Sequence, residues 1–278
     1  MAGRLPSFLI VGAAKSGTSS LWHYLREHPD VYVPPRKEIN FFDDHNAFAQ
    51  GVEWYSGLFT DAGDRKAVGE ATPSYLTVPE AAERMASLVP DARLVAILRN
   101  PVDRAYSHYL HARYYGLERV TFPEAVERER TAPGGAAWPY YLLSGRYLIH
   151  LERLVEHFPR EQLLVLLLDD LEQDPAGTFR TLCRHLHIDE SVLPKIVGEV
   201  TNRYRESRFP RTFGLILKPA VWKRIPQRYR PKVARVFTRE GREPEPIDER
   251  TRDELTRYFA EDNRRLGEWL GRDLSIWS

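Results

Sequence analysis

The sequence predicts an α/β fold, a parallel β-sheet buried between helices on both of its faces. Short apolar runs recur at Phe8–Val11, Leu94–Leu98 and Leu163–Leu168, and they are largely unbroken rather than alternating. Runs of that kind suit strands covered on both sides. Helical patterns fall between them, and strand–helix alternation favours parallel strands joined by right-handed crossovers. The polar, glycine-bearing strings that follow the runs stand where ligands bind in such sheets, beyond the carboxyl ends of the strands.

In chain order, Phe8–Val11 is the first strand. A helix over Thr18–His28 places Leu21, Tyr24 and Leu25 on one side. Val31–Val33 and Lys66–Val68 are shorter strand candidates, and Pro79–Leu88 reads as a second helix. Leu94–Leu98 precedes a third helix over Arg104–Tyr115. Arg146–Phe158 sets Leu148, Leu151, Leu154, Val155 and Phe158 near helical spacing. After the strand at Leu163–Leu168, Asp174-Pro175 is a start signal, with an acidic N-cap and proline at the first helical position. That helix runs to about His187. From Thr201 to Pro246 the pattern weakens and proline and arginine become dense, as in a flap or a second layer. Asp248–Leu270 is a last amphipathic helix, using Leu255, Tyr258, Phe259, Leu266, Trp269 and Leu270.

The chain has 278 residues, enough for one large or two small domains. Apolar residues make up 42% and charged residues 28%, so it can bury a core and stay soluble. With 40 basic and 39 acidic residues it carries a net charge of +1, which excludes a whole-surface nucleic-acid binder. An anion site must therefore be a local cluster. A single cysteine, Cys183, excludes an internal disulfide and reads as a packing residue on a helix face. The N-terminal apolar run ends at Ala14 with Lys15 next, too short for a membrane span and unlike a signal peptide. The expectation is a cytoplasmic protein.

The clearest string is F-L-I-V-G-A-A-K-S-G-T-S-S-L, Phe8 to Leu21. A buried strand enters a small-residue loop and then a helix, which turns backbone N–H groups and the positive helix end toward an anion. Gly12 and Gly17 allow tight turning, and Ser16, Thr18, Ser19 and Ser20 add hydroxyl donors. The loop is P-loop-like: Gly12 and Gly17 fit G-x-x-x-x-G-K-[ST], but Thr18 stands where that pattern has lysine. The lysine has moved inside the loop, to Lys15. That suits a shorter anion chain without an essential metal, and no H-x-x-x-H or C-x-x-C spacing suggests one.

K-S-G-T-S-S-L after an apolar strand resembles the 5′-phosphosulfate-binding loop of sulfotransferases that use 3′-phosphoadenosine 5′-phosphosulfate (PAPS). The resemblance implies that Lys15 meets the 5′-phosphate and the bridging oxygen, with Gly17, Thr18 and Ser19 bonding the same phosphate. The string R-N-P-V-D-R-A-Y-S after Leu98 can open a helix at Pro101 behind Asn100, and an arginine fork with a hydroxyl suits a phosphate monoester. It resembles the 3′-phosphate segment of the same family, which implies Arg99 and Ser107 as ligands. Asp103 and Arg104 are read as a structural ion pair.

Between these strings lies K-E-I-N-F-F-D, Lys37 to Asp43. By itself it could be a solvated turn. It is similar to the K-E-x-x-F-F segment of sulfotransferases of the heparan-sulfate type, which implies Glu38 as general base. His45, His108 and His111 are the fallback bases. G-E-A-T-P-S-Y-L, Gly69 to Leu76, also resembles a family segment. There Glu70 could face the acceptor, orient Lys15 or serve the loop. Some relatives have tyrosine where Leu168 stands, so that nucleotide contact is absent. Thr201–Thr212 resembles an arginine-bearing flap, which makes Arg205 and Arg208 candidate 3′-phosphate contacts.

The resemblance covers nearly the whole chain, with its specificity concentrated in residues 8–43 and 94–107. It implies one sulfotransferase domain over 1–278, with 201–246 as a cofactor-covering flap and 248–271 as the C-terminal helix. The expected reaction moves a sulfuryl group from PAPS to an acceptor hydroxyl or amine, leaving adenosine 3′,5′-bisphosphate, with no metal. The acceptor, a glycan, a lipid, a peptide or a small metabolite, is not legible. Trp54, Tyr55, Trp138, Tyr140 and Tyr141 could line its cleft or simply pack. A homodimer stays open. The competing readings are a P-loop-type small-molecule kinase and a non-catalytic nucleotide-binding protein on the same fold.

Overall fold

Five short parallel strands form the first of two units into which the chain folds. The computed structural model describes residues 4–115, 117–132, 140–199, 205–207, 238–240 and 245–278. The elements are β1 (Phe8–Gly12), α1 (Thr18–Glu27), β2 (Val31–Tyr32), α2 (His45–Phe48), α3 (Gly51–Gly57), β3 (Ala67–Ala71), α4 (Pro79–Leu88) and β4 (Arg93–Leu98). They continue with α5 (Pro101–Tyr114), α6 (Phe122–Thr131), α7 (Tyr147–Val155), β5 (Leu163–Leu167), α8 (Leu168–Gln173) and α9 (Pro175–Leu186). Two three-residue strands, β6 (Arg205–Ser207) and β7 (Thr238–Glu240), precede α10 (Glu249–Leu270). The first unit takes Met1–Asn100, Arg146–Thr201 and Glu268–Gly271. The second takes Pro101–Gly145, Asn202–Gly267 and Arg272–Ser278.

The sheet of the first unit has the order β2-β3-β1-β4-β5, every neighbouring pair parallel. Its register sets Phe8 opposite both Gly69 and Arg93, and Leu94 opposite Leu163. β1 is central, and Phe8, Leu9, Ile10 and Val11 are all fully buried. Alternating side chains point to opposite faces, so burial of all four means that both faces are covered. Phe8 and Ile10 share a core with Leu21, Trp22 and Leu25 of α1 and Phe179, Leu182 and Leu186 of α9. Cys183 packs in that core, and burial pushes its thiol up to about 12. It is a packing residue. α9 begins as its start signal predicts: the Asp174 carboxylate accepts from the Gly177 N–H at 2.9 Å, with Pro175 at the first helical position.

A 3₁₀ turn at Pro73–Leu76 follows β3. A Cβ on Gly12 would lie 2.6 Å from the Leu76 Cβ, so only glycine lets that turn pass the end of β1. Gly12→Ala must displace it, and overpacking of that kind costs about 1–3 kcal/mol. The expected result is a lower midpoint of urea unfolding with an unchanged slope.

In the second unit, Val102, Ala105 and Tyr109 of α5 pack with Phe122, Ala125 and Val126 of α6, with Tyr141, and with Leu255 and Phe259 of α10. α6 starts at a capping box made by Thr121 and Glu124. The buried Glu129 carboxylate accepts from the N–H groups of Tyr141, Leu142 and Leu143, fixing the segment after α6. α10 starts behind Asp248, whose carboxylate accepts from the Thr251 N–H at 2.9 Å. β6 and β7 pair antiparallel.

Some boundaries differ from the sequence reading, for local reasons. Leu168 opens α8 instead of closing β5. α5 starts at Pro101, because proline suits a first helical turn. The short helices α2, α3 and α8 carry too little periodicity to be read in advance, whereas α6 carries a signal, Phe122, Ala125 and Val126 at helical spacing behind its capping box, that the sequence reading does not use.

Candidate active site

β1 delivers the chain into a loop over residues 13–17, and α1 starts at Thr18. Gly17 is the N-cap residue, with φ at 101°, in the left-handed region that glycine tolerates. A Cβ there would also stand 3.0 Å from the Leu168 Cδ1 and 3.3 Å from the Ile97 Cδ1. Among the described residues no side chain caps α1, and no acidic residue stands in its first turn. Its positive end therefore remains for an anion. Ser16 is fully buried, and its Oγ has no hydrogen-bond partner among the described residues. Leaving such a hydroxyl unpaired costs about 1–3 kcal/mol, which an anionic oxygen at this loop would recover.

Lys15 is half-buried at the turn, with φ at 70°. Burial lowers its pKa to about 8; Glu38 opposes the shift, and Lys37 and Arg99 add to it. Glu38, Lys37 and Arg99 thus lie near enough for their charges to act on Lys15. Lys37 donates from Nζ to the Ser19 Oγ at 3.2 Å and lies 3.5 Å from the Glu38 Oε1. The Lys37–Glu38 pair is therefore brought to the first turn of α1, with the Glu38 side chain 43% exposed. Burial lowers the Lys37 pKa too, and Glu38 opposes that shift.

Glu70, at the carboxyl end of β3, is buried. Its Oε1 accepts from the hydroxyls of Tyr55 at 3.0 Å and Tyr75 at 2.6 Å, and its Oε2 from the Thr72 hydroxyl at 2.6 Å. Burial raises its pKa to about 7, and the bonds from Thr72, Tyr75 and Tyr55 oppose that shift. Of the alternatives left open for Glu70, these partners accord with the loop role: three hydroxyls hold its carboxylate. Lys37 is the residue near the candidate site that the sequence left without a role. A signal existed for Lys37, its place beside Glu38. None existed for the Glu70 ties.

Arg99 stands at the carboxyl end of β4, and its carbonyl accepts from the Tyr147 hydroxyl at 2.8 Å. Its guanidinium has no partner among the described residues. In the second unit, Ser107 lies half-buried on α5. Asp103 accepts from Arg252 at 2.8 Å, and the fully buried Arg104 donates to the Tyr141 carbonyl. Of the flap candidates, Arg205 lies in β6 and Arg208 lies outside the described residues. His45 is exposed, 3.2 Å from the Arg84 Nη2. His108 is buried edge-on against Tyr141, and His111 lies against Tyr115. Tyr55 and Tyr141 are fully buried packing residues, Trp54 stacks with Phe41, and Trp138 lies outside the described residues. Among the described residues, no three histidine, cysteine or carboxylate side chains converge as a metal site requires, and no helix is long and apolar enough to cross a membrane.

Comparison with known proteins bears on this arrangement. The family described as the sulfotransferase domain matches residues 5–209. The mouse bifunctional heparan sulfate N-deacetylase/N-sulfotransferase 4 is 31% identical over 98% of this chain and 31% of its own length. The mouse heparan sulfate glucosamine 3-O-sulfotransferase 6 is 36% identical over 63% of this chain and 50% of its own length. The chain thus spans about a third to a half of the curated relatives it matches. The crystal structure of a sulfotransferase from Alicyclobacillus acidocaldarius superposes with a TM-score of 0.74 at 31% identity, covering 99% of each chain.

Proposed function

The chain belongs to the sulfotransferase family, and from that premise we propose that it moves a sulfuryl group from PAPS to a hydroxyl or amine of a glycan acceptor. The observation that carries the proposal is the bond from Lys37 to Ser19. It ties the candidate base, Glu38, to the loop that would hold the donor's 5′-phosphate.

The loop fits such a donor: among the described residues no side chain caps α1 and the buried Ser16 hydroxyl has no partner, and Lys15 adds positive charge to the same loop. When bound, PAPS supplies the sulfuryl group and a bisphosphate leaving group. Lys15 holds its charge at the 5′-phosphate and the bridging oxygen, where negative charge grows during transfer. Gly17, Thr18 and Ser19 offer backbone and hydroxyl donors to that phosphate, and Ser16 and Ser20 offer hydroxyls beside it. Arg99 takes the 3′-phosphate through its guanidinium. Ser107, Arg205 and Arg208 keep the 3′-phosphate role that their motifs imply. Glu38 accepts the acceptor's proton as its oxygen or nitrogen attacks. Positioning and charge do most of the work, as in phosphoryl transfer.

A glycan acceptor follows from the relatives, whose names specify heparan sulfate or its glucosamine. One is an N-sulfotransferase and the other a 3-O-sulfotransferase, so both acceptor atoms belong in a screen. De-N-sulfated heparin oligosaccharides offer both.

The test is calorimetry with adenosine 3′,5′-bisphosphate in the absence of metal. The wild type is expected to bind, and Lys15→Ala and Arg99→Ala to bind more weakly. No binding to the wild type, with ATP–Mg²⁺ binding instead, overturns the donor and revives the kinase.

Lys15 also sets a pH dependence. The bisphosphate binds the charged amine, so affinity is full below a pKa of about 8 and is lost as pH rises through it. Above that value Kd should rise about tenfold per pH unit, with one proton taken up on binding. The dependence should vanish in Lys15→Ala, as calorimetry in buffers of different ionisation enthalpy would show.

A further inference from the structure

We infer that Glu70 is a positioning residue for Glu38, acting through Thr72 and Tyr75 on the backbone that follows the base. The inference rests on the role of Glu38 proposed above.

The three amides after Glu38 are those of Ile39, Asn40 and Phe41. The Ile39 and Asn40 N–H groups both donate to the Thr72 Oγ1, at 3.2 and 3.3 Å. The Phe41 N–H donates to the Tyr75 hydroxyl at 2.9 Å. A hydroxyl has one proton and two lone pairs. With both lone pairs of Thr72 taken by amides, its proton must go elsewhere, and it goes to the Glu70 Oε2. Tyr75 likewise accepts from Phe41 and donates to the Glu70 Oε1. One buried carboxylate therefore sets the direction of both hydroxyls, and through them holds three consecutive amides. Tyr55 adds a third link, donating to Glu70 while its ring stacks on Phe41 at 4.2 Å and 7°. On the other side of Glu38, Lys37 is tied to Ser19. The base is thus bracketed between the phosphate loop and the end of β3.

Only the ionised carboxylate, an acceptor with no proton of its own, serves here, and with its pKa raised to about 7 that form prevails above neutral pH. Glutamine at position 70 would aim its NH₂ either at Thr72, whose lone pairs are full, or at the two tyrosine hydroxyls. In the first orientation the Thr72 arm breaks; in the second the tyrosine hydroxyls must turn their protons away from residue 70, and it no longer sets their direction. A partly satisfied buried network of this kind loses its hold on the backbone.

Amide hydrogen exchange reads the ties directly and needs no acceptor. Thr72→Val should speed exchange at Ile39 and Asn40 roughly tenfold and leave Phe41 unchanged, whereas Tyr75→Phe should do the reverse. Thr72→Ser should restore the protection that Thr72→Val loses. Glu70→Gln should loosen at least one of the two groups while residues 8–21 keep wild-type exchange and adenosine 3′,5′-bisphosphate binds as tightly. With PAPS and de-N-sulfated heparin oligosaccharides, Glu70→Gln should lower kcat about tenfold or more, with KM unchanged, and cost nothing further in a Glu38→Gln background. Wild-type exchange at Ile39, Asn40 and Phe41 in all three altered proteins overturns the inference, as does an equal further loss of kcat in the Glu38→Gln background. If the wild type binds no bisphosphate, the proposed reaction fails, and the exchange pattern still decides the ties.

Discussion

Lys15→Ala is expected to lower kcat/KM for sulfuryl transfer by about 10³–10⁴-fold, or about 4–5.5 kcal/mol, with losses in both donor affinity and kcat. Lys15 is the one cation within the loop of residues 13–17, and in the proposed reaction it would face the oxygen that gains charge as the sulfur leaves it. Its amine is held partly out of water with Lys37 and Arg99 near, which lowers its pKa from the ordinary lysine value of 10.5 to about 8. The unfolded chain therefore binds more protons than the folded one between those values, and stability should rise with pH across that window. The charged amine is a burden on the fold at neutral pH, so Lys15→Ala should leave Tm unchanged or raise it. Loss of activity with no loss of stability, in pre-steady-state kinetics and calorimetric melting, would mark a residue held for function. Lys15→Ala with wild-type kcat would remove it from the transfer step.

Glu38→Gln should act differently. Removal of a general base costs about 10²–10⁴-fold in kcat, while adenosine 3′,5′-bisphosphate should bind as in the wild type. The side chain is 43% exposed and its close ionic partner is the Lys37 Nζ at 3.5 Å. A pair that exposed contributes at most about 1 kcal/mol, so the melting temperature should hardly move. A single-turnover rate with PAPS and de-N-sulfated heparin oligosaccharides, set beside the calorimetric Kd, separates the two changes. Lys15→Ala loses affinity and rate, whereas Glu38→Gln loses rate alone. An unchanged rate in Glu38→Gln would overturn its role as base.

Much of the fold was legible because its signals are local. The run Phe8–Val11 has no polar break, so it had to be buried on both faces. Gly17 and the small residues around it marked a strand-to-helix turn within ten residues. Asp174-Pro175 announced α9 by the chemistry of a single cap. Leu168 shows where local reading stopped: it continues the apolar run of β5, yet it turns into α8 and comes up against Gly17. That turn depends on what lies across the sheet, which no window around Leu168 contains.

The candidate site divides in the same way. Lys15, Glu38 and Arg99 were legible because each sits in a short string whose residue types suit an anion or a proton. Their mutual placement was not legible. Lys37 reaches Ser19 across 18 positions, and Ile39 reaches Thr72 across 33. Those contacts follow from the strand order β2-β3-β1-β4-β5, which sets β3 beside β1 and so brings Glu70 and Thr72 toward the loop that β1 opens. By itself the sequence determined which segments form the parallel sheet, where a strand-to-helix loop suited to an anion lies and which side chains are candidates for transfer. The tertiary structure alone decided which strands are neighbours, how far Lys15 is withdrawn from water and which hydroxyls direct Glu70. Strand order and desolvation depend on packing between residues far apart in the chain, and packing of that kind leaves no local pattern in the sequence.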